Sequence, residues 1–486
     1  MLGCYWHFCP YQEKKKLPID EIEKGLKRRE YDQCRRNFLL ESGIKVCEIW
    51  ECDWWKKVKN NVDGAGDYMK TTYPYQKPIS ENKLIEDIKS GLKFGVVDCS
   101  IEVPERLREK FSEFPPIFKN CEVSLEDIGS HMKDFAHEHN LLKKPRRMLI
   151  SSFYLQRGPV ITPLLQFYLE KGLVLNQVYW FIQYTPEKCF ESFVNSVVGA
   201  RREGDKNTSS SVVAETMKLI GNSSYGYQIM DRSKHSKTQY VVGAEVDKLV
   251  NERNFKNLNV LPSSIYEVEM VKSEVNHKEP IIVGFFILQY AKLTMLQLFY
   301  NFFQLFCDSQ KYELIEMDTD SLYMALSEDK VEELIRPEMK LMWEMNREND
   351  CRDDFRADEH YNFFPRNCCQ QHWKFDQRTP GLFKEEFRCT EMVALCSKTY
   401  CCFDEPTRIT KLSCKGLNKN SLNDEPINKY RAVLEERERV ITCNRGFRVV
   451  GNSKVCTYEL KKNGLSYFYP KRILLSDGIH TKPLNL

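Results

Sequence analysis

Two short segments carry side chains of the kinds and spacings that handle phosphate chemistry. In Lys218-Leu219-Ile220-Gly221-Asn222-Ser223-Ser224-Tyr225-Gly226, Lys218, Asn222 and Tyr225 stand at i, i+4 and i+7 and so share one helix face. A cation, an amide and a flat aromatic on one face suit a triphosphate held beside a stacked base. Lys206, twelve residues upstream in a polar turn, offers a second cation, with Arg202 one turn before it. The plainer alternative is a solvated basic face with a packed tyrosine, and the spaced set makes it the weaker reading. The second segment is Asp318-Thr319-Asp320-Ser321. Two carboxylates in a tight turn between apolar strands repel each other unless a divalent cation neutralises them. Hard oxygen donors suit Mg²⁺, and a two-ion site activates a 3′-hydroxyl and stabilises a leaving pyrophosphate. Its competitor is a polar hairpin turn, since Asp, Thr and Ser all favour turns.

These residues need particular elements to hold them. Thr185 can cap a helix to Arg202, Pro186 suits its first turn, and Phe190, Phe193, Val194, Val197 and Val198 make one apolar stripe. Residues 203–210 have turn chemistry, and a second helix is expected from about Ser211 to Ser224, giving an antiparallel hairpin. Leu314–Met317 and Leu322–Leu326 read as strands on either side of the carboxylate turn. Phe94–Asp98 reads as a short buried strand, and Phe383–Phe387 and Met392–Phe403 as neighbouring strands. A charged helix is expected over Pro426–Thr442, and residues 61–89 are polar and Tyr/Pro-punctuated, as a linker would be. The most apolar stretch, Ile281–Phe306, is broken by Gln289, Lys292, Gln297, Asn301 and Gln304. It is expected to be a strand running into a buried helix from about Ala291, with no membrane span.

A chain of 486 residues has room for roughly two to four domains. A net charge of +3 neither announces nor excludes a nucleic-acid partner. The 19 cysteines include the pairs Cys368-Cys369 and Cys401-Cys402, and no apolar h-region follows the N-terminus. The thiols are therefore read as reduced, in an intracellular protein, nuclear or cytoplasmic. Cys4, His7, Cys9, Cys47 and Cys52 can be read as zinc ligands, but Cys-x-x-His-x-Cys is not a standard structural spacing. Buried thiols beside tryptophans are commoner.

In this order, the two phosphate-handling segments resemble motifs B and C of family B DNA polymerases. Lys218, Asn222, Tyr225 and Gly226 match the fingers motif Lys-x-x-x-Asn-Ser-x-Tyr-Gly, and Asp318-Thr319-Asp320-Ser321 matches the palm motif Asp-Thr-Asp-Ser. Lys398-Thr399-Tyr400 looks like the Lys-x-Tyr motif that grips the primer strand. Residues 94–120, 284–303 and 464–484 look like the protein-primed branch, and most like polymerases of Polinton/Maverick-type transposons. Those carry an endonuclease-like insertion in the palm, which Gly3-Cys4-Tyr5-Trp6-His7 and Trp50-Glu51-Cys52 resemble. The likeness spans nearly the whole chain and is strongest from about residue 85.

The resemblance implies an α+β, right-hand polymerase fold with a partial endonuclease-like N-terminal segment. Its divisions would be that segment at 1–60, a palm-associated insertion or linker at 61–147, fingers at 148–235, palm at 236–415 and thumb at 416–486. The implied activity is DNA-directed DNA polymerisation with Mg²⁺ held by Asp318 and Asp320, the catalytic carboxylates. Lys218, Lys206, Arg202, Asn222 and Tyr225 would bind the deoxynucleoside triphosphate, and Lys398 and Tyr400 the primer. A DNA template–primer is the implied partner, with a terminal protein as priming partner. Further phosphate contacts are expected from Lys411, Lys415, Lys471 and Arg472.

One family element is missing. Motif A, Asp-x-x-Ser-Leu-Tyr-Pro, supplies the other metal-bridging carboxylate in these relatives, and the sequence holds no such segment. The start at Gly3-Cys4-Tyr5-Trp6-His7 reads as mid-domain sequence, so an N-terminally truncated polymerase is expected. Asp98, ending an apolar strand with Ser100 two positions on, is a poor substitute because it lacks the Leu-Tyr pair and lies after the insertion-like segment. Glu316 stands where many relatives place Tyr, and is expected on the strand face opposite the site, solvated. Two other readings compete: a catalytically inactive remnant that still binds nucleotide and nucleic acid, and a metal-dependent hydrolase using Asp318 and Asp320. The hydrolase leaves the fingers helix and Lys398-Thr399-Tyr400 without a role.

Overall fold

The structure, a computed structural model, describes residues 81–486 apart from 233–234, 273, 276–278, 348–362, 415–416, 418–421, 423–424, 451–453 and 479. The zinc and endonuclease readings before residue 61 and the phosphate role of Lys415 lie outside the described residues. The chain divides into two compact units, Met1–Glu86 and Asp87–Leu486, and every element from β1 onward belongs to the second. Helix makes up 36% and strand 31%, and every strand ladder among the described residues is antiparallel, which makes the fold class α+β. The end of the expected linker is helical: α1 (Glu81–Lys89) spaces Leu84, Ile85 and Ile88 for one helix face.

Strand β1 (Gly95–Glu102) is buried along most of its length, as its run of Val96, Val97, Cys99 and Ile101 demands. Hairpin partners β2 (Ile117–Val123) and β3 (Arg146–Ser152) flank α2 (Ser130–Glu138), and the chain then returns to β1 through β4 (Tyr154–Ile161). With β5 (Val174–Gln183) the sheet order is β4-β1-β5. Between β4 and β5 lies α3 (Thr162–Glu170), which packs Leu164, Leu165, Phe167 and Tyr168 into this core.

A helical hairpin follows, α4 (Glu191–Lys206) and α5 (Ser211–Gln228). The first helix starts six residues later than Thr185, because Phe190 rather than Thr185 precedes the first helical turn. It also runs four residues further, so Lys206 ends a helix instead of sitting in the turn. The cause is local: a Cβ at Gly204 would collide with Ala214, so the bare glycine lets the two helices approach while α4 continues. Asn207 then makes the turn, its side chain accepting the Ser209 N–H.

After a small sheet of β6 (Lys237–Val241), β7 (Phe255–Leu261) and β8 (Ile265–Met270), with α6 (Ala244–Val250), the apolar segment opens as helix α7 (Ile281–Gln297). The expected strand before Ala291 is absent. A uniformly apolar run cannot reveal its period, and here length favoured the helix. It continues through a π turn (Leu298–Phe303) and a last α turn (Gln304–Phe306). Residues Ile281–Phe306 are long and apolar enough to cross a membrane by length and composition. Within this fold, Leu298, Phe299, Phe302, Phe303 and Phe306 are core, whereas Ile281, Ile282, Ile287, Leu288 and Tyr290 are exposed.

The π turn leads to hairpin β9 (Tyr312–Asp318) and β10 (Ser321–Leu326), then α8 (Pro337–Arg347) and α9 (Gln370–Asp376). Strands β11 (Glu391–Cys396), β12 (Thr399–Asp404) and β13 (Ile409–Ser413) form one sheet, covered by α10 (Pro426–Glu435). The expected single strand Met392–Phe403 is thus two, turned at Ser397-Lys398, and Phe383–Phe387 lies outside any ladder. Helix α10 stops at Glu435, and Thr442 belongs to β14 (Val440–Val450), which pairs with β15 (Lys454–Leu465). A last ladder joins β16 (Arg472–Leu474) to β17 (Thr481–Pro483).

Candidate active site

Asp318 and Ser321 form the last registered pair of the β9–β10 hairpin, so Thr319 and Asp320 make the tip. Thr319 has φ +52°, an unfavourable conformation for a β-branched residue, and the Asp320 N–H folds back onto the Asp318 carbonyl at 2.5 Å. The strain is held by a ladder on one side and by Leu322 and Met324 packed on the core around Phe302 and Phe306. The Thr319 hydroxyl donates to Asp318 Oδ1 at 3.1 Å, and both carboxyl groups stand at the tip.

A second turn from far along the chain meets this one. Lys398, between β11 and β12, also has positive φ (+64°). Its backbone N–H donates to Glu316 Oε1 at 2.8 Å, and its ammonium lies 3.3 Å from Asp318 Oδ1. Two residue pairs further in, the Tyr323 hydroxyl donates to the Tyr400 hydroxyl at 2.7 Å, with ring centroids 4.6 Å apart. Asp318, Lys398 and Tyr400, expected to act together, are therefore brought together, and Asp320 shares the tip.

Glu316 departs from expectation. Strand alternation places residues two apart on the same face, so Glu316 shares the face of Asp318 instead of opposing it. It is buried, lies across the ladder from Tyr323 and supports the Lys398 turn. Burial pushes its carboxyl up to about 7, against the Lys398 N–H bond and helped by the charge of Asp318. Its second oxygen, Oε2, is buried without a partner among the described residues. Sequence reading missed Glu316 and Tyr323 as the organisers of this junction; their opposition across β9 and β10 was the available signal.

Asp98 is not at this junction. It lies mid-strand in β1, where its Oδ2 accepts from Arg157 Nε at 2.7 Å, and the Arg157 guanidinium covers the Tyr179 ring at 4.5 Å. Among the described residues, no group of three or more closely spaced His, Cys, Asp or Glu ligands includes Asp318 or Asp320. The donors fit Mg²⁺ in kind: hard carboxylate oxygens at a tip, with the unpartnered Glu316 oxygen two residues behind. They do so from one strand pair only.

On α5, Lys218 and Asn222 are exposed and Tyr225 is half-buried, so the expected face is open to solvent. Lys206 is exposed, with Glu203 3.9 Å away one turn earlier. Arg202 has a different position from the one expected of a phosphate ligand. Its guanidinium stacks 3.6 Å from the Phe375 ring centroid, and it donates to the Phe375 carbonyl (3.2 Å) and to Thr379 Oγ1 (3.1 Å). Burial lowers its pKa, with Asp376 opposing. Asp205 next to it takes a two-bond contact from Arg378 at 2.6 and 2.7 Å. The end of α4 is thus docked on the segment around α9.

Of the outlying cations, Lys411 lies 3.9 Å from Glu386 and near the Phe387 ring, and Lys471 is half-buried. Arg472 is a structural tie and not an exposed phosphate contact. It donates to Thr481 Oγ1 (2.6 Å), Ser151 Oγ (3.0 Å), the Ser112 carbonyl (2.6 Å) and the Thr481 carbonyl (2.9 Å). No protein-family model, curated protein or solved structure matches the chain.

Proposed function

We propose that the chain is a DNA-directed DNA polymerase of family B, protein-primed type, with a right-hand palm, fingers and thumb. The observation that carries this reading is the meeting of two strained turns, in which Lys398 Nζ stands 3.3 Å from Asp318 while Tyr400 bonds to Tyr323. A primer-gripping cation beside a metal-binding carboxylate is what a polymerase needs at the 3′ end of its primer. A polar hairpin serving only as a turn has no use for either. Mg²⁺ held by Asp318 and Asp320 would supply activation of the 3′-hydroxyl and neutralisation of the leaving pyrophosphate. The chain's own residues then bind and orient: Lys398 pairs with a primer phosphate, and Tyr400, expected to touch the primer but buried and bonded to Tyr323, fixes the strand that carries the Lys398 turn. Lys218, Asn222 and Tyr225 offer the incoming triphosphate a cation, an amide and a stacking ring, with Lys206 near the hairpin end. Arg202 steadies the end of α4 through Phe375 and serves the triphosphate indirectly. The partners are a template–primer duplex, deoxynucleoside triphosphates and a terminal protein. The protein is intracellular, nuclear or cytoplasmic, with no membrane partner.

A second reading has its own support. Asp98 is paired with Arg157, so among the described residues carboxylates reach the ions from one side only. A two-ion transfer lacking the opposite carboxylate loses metal affinity and in-line geometry, which describes a nucleotide- and DNA-binding remnant. Primer extension with Mg²⁺ and four nucleotides, run beside binding of the same duplex, separates the two. Duplex binding with slow, Mg²⁺-dependent extension is expected, and binding with no extension would leave only the remnant. Robust extension abolished by Asp320→Ala would favour a complete enzyme, and absence of both binding and extension would overturn both readings.

A further inference from the structure

Cys368, Cys369 and His372 meet at the start of α9, and their ligating atoms all lie within 4.8 Å of one another. Cys368 Sγ is 3.3 Å from His372 Nδ1, and Cys369 Sγ accepts the His372 backbone N–H at 3.4 Å. The local chain explains the grouping. Cys369 is extended (φ −158°, ψ 161°) and the next residue is helical, so the bend brings two consecutive thiols to the side that His372 reaches one turn later.

We propose that these three side chains form a binding site for Zn²⁺, with two thiolates and one imidazole as ligands and a fourth position for water or a further donor. The donor set is chemically selective: thiolate and imidazole suit a borderline-soft ion, whereas Mg²⁺ takes oxygen. On binding, each thiol gives its proton to solvent and forms a sulfur–zinc bond, with no change in oxidation state. The ligands stand on a rigid base. Arg366, two residues before Cys368, donates its backbone N–H and two guanidinium N–H groups to the buried Asp376 carboxylate at 2.8–3.0 Å, tying the two ends of α9 together. The same segment receives Arg202 on Phe375 and Asp205 on Arg378. Zinc here clasps the first turn of the platform that carries the end of α4. This inference stands without the polymerase reading.

The test uses the full chain, purified reduced, stripped with chelator and titrated with Zn²⁺ against a chromophoric chelator. Cys368 is exposed, so Cys368→Ser should leave the fold intact, and Cys189→Ser, at another exposed cysteine, is the control. The wild type and the control should take up an equivalent of Zn²⁺ that Cys368→Ser and His372→Ala lack. The Co²⁺-loaded wild type should show a thiolate-to-cobalt charge-transfer band that weakens in Cys368→Ser. Zn²⁺ should also block alkylation of Cys368 and Cys369, mapped by mass spectrometry. Equal uptake and equal spectra in wild type and variants would overturn the proposal, because any metal would then lie elsewhere. Unchanged alkylation with and without Zn²⁺ would overturn it too, as would a Cys368–Cys369 disulfide as the sole change at the site.

Discussion

Asp98 and Asp318 both belong to largely apolar strands, and the sheets around them treat the two carboxylates differently. Asp98 stands in the middle of β1 between β4 and β5, with its side chain 7% exposed, and its charge is met by Arg157, which is itself 59% exposed. Asp318 closes β9 at a hairpin tip, with its side chain 23% exposed, against a Lys398 side chain that is 55% exposed and whose ammonium stands at 3.3 Å. One carboxylate is used up by the fold, and the other is held by a flexible cation that a phosphate or a metal ion can displace. An aspartate at the end of an apolar run is therefore not a ligand by its sequence context. Its position along the strand and the grip of its counter-ion decide.

The difference can be pressed with a graded set of substitutions. At the far end of the scale is Asp376, whose pair with Arg366 is buried on both sides. Asp376→Ala strands a buried guanidinium and should cost about 3–5 kcal/mol in urea unfolding. Asp98→Asn, which keeps the shape but loses the charge-assisted bond, should cost about 1–3 kcal/mol by the same measurement. A loss near zero would place Asp98 with the site carboxylates and reopen it as a metal ligand.

Glu316 gives a smaller effect, seen as a pH dependence. Its folded pKa of about 7 lies above the ordinary 4.5, so the native state holds the proton more tightly than the unfolded chain between those values. Stability should fall as pH rises from about 4.5 to about 7, and Glu316→Gln should flatten that slope in chelator-treated protein. A slope unchanged by the substitution would mean that Glu316 is hydrated. Asp318→Asn should have the smallest effect on unfolding, about 0–1 kcal/mol, because its pair is partly solvated. The same variant should lose Mn²⁺ binding, followed by water-proton relaxation. Full Mn²⁺ binding in Asp318→Asn would remove the distinction between the two carboxylates.

Local chemistry was legible in the sequence and distant partnerships were not. The β9–β10 hairpin and the α4–α5 hairpin were readable because alternation, helical spacing and turn residues are encoded within a dozen positions, whereas the turn at Ser397-Lys398 was read through as one strand. Arg202 and Arg472 carried no such signal. Arg202 bonds to Phe375 and Thr379, 173 and 177 positions on, and Arg472 reaches back 360 positions to Ser112. A guanidinium in isolation reads as available for phosphate, and only the tertiary fold shows that its donors are taken. The helical start of α7 was hidden for another reason: where every residue is apolar, neither a two-residue nor a 3.6-residue rhythm stands out. Glu316 was misplaced although alternation alone assigns its face, since the period of a strand makes Asp318 its companion.

The π turn at Leu298–Phe303 has a further meaning for the long helix that contains it. Upstream of it, α7 lies against α5, closely enough that a Cβ at Gly284 would strike Ile229; downstream, Phe302, Phe303 and Phe306 fill the core beneath the carboxylate hairpin. The widened turn acts as a phase adjuster between two clients that need different sides of one rod. Holding the same six residues in ordinary α geometry would rotate one half against the other by about 100°. Either the α4–α5 hairpin or the carboxylate hairpin would then lose its seat, so the two are tied to a common angular setting.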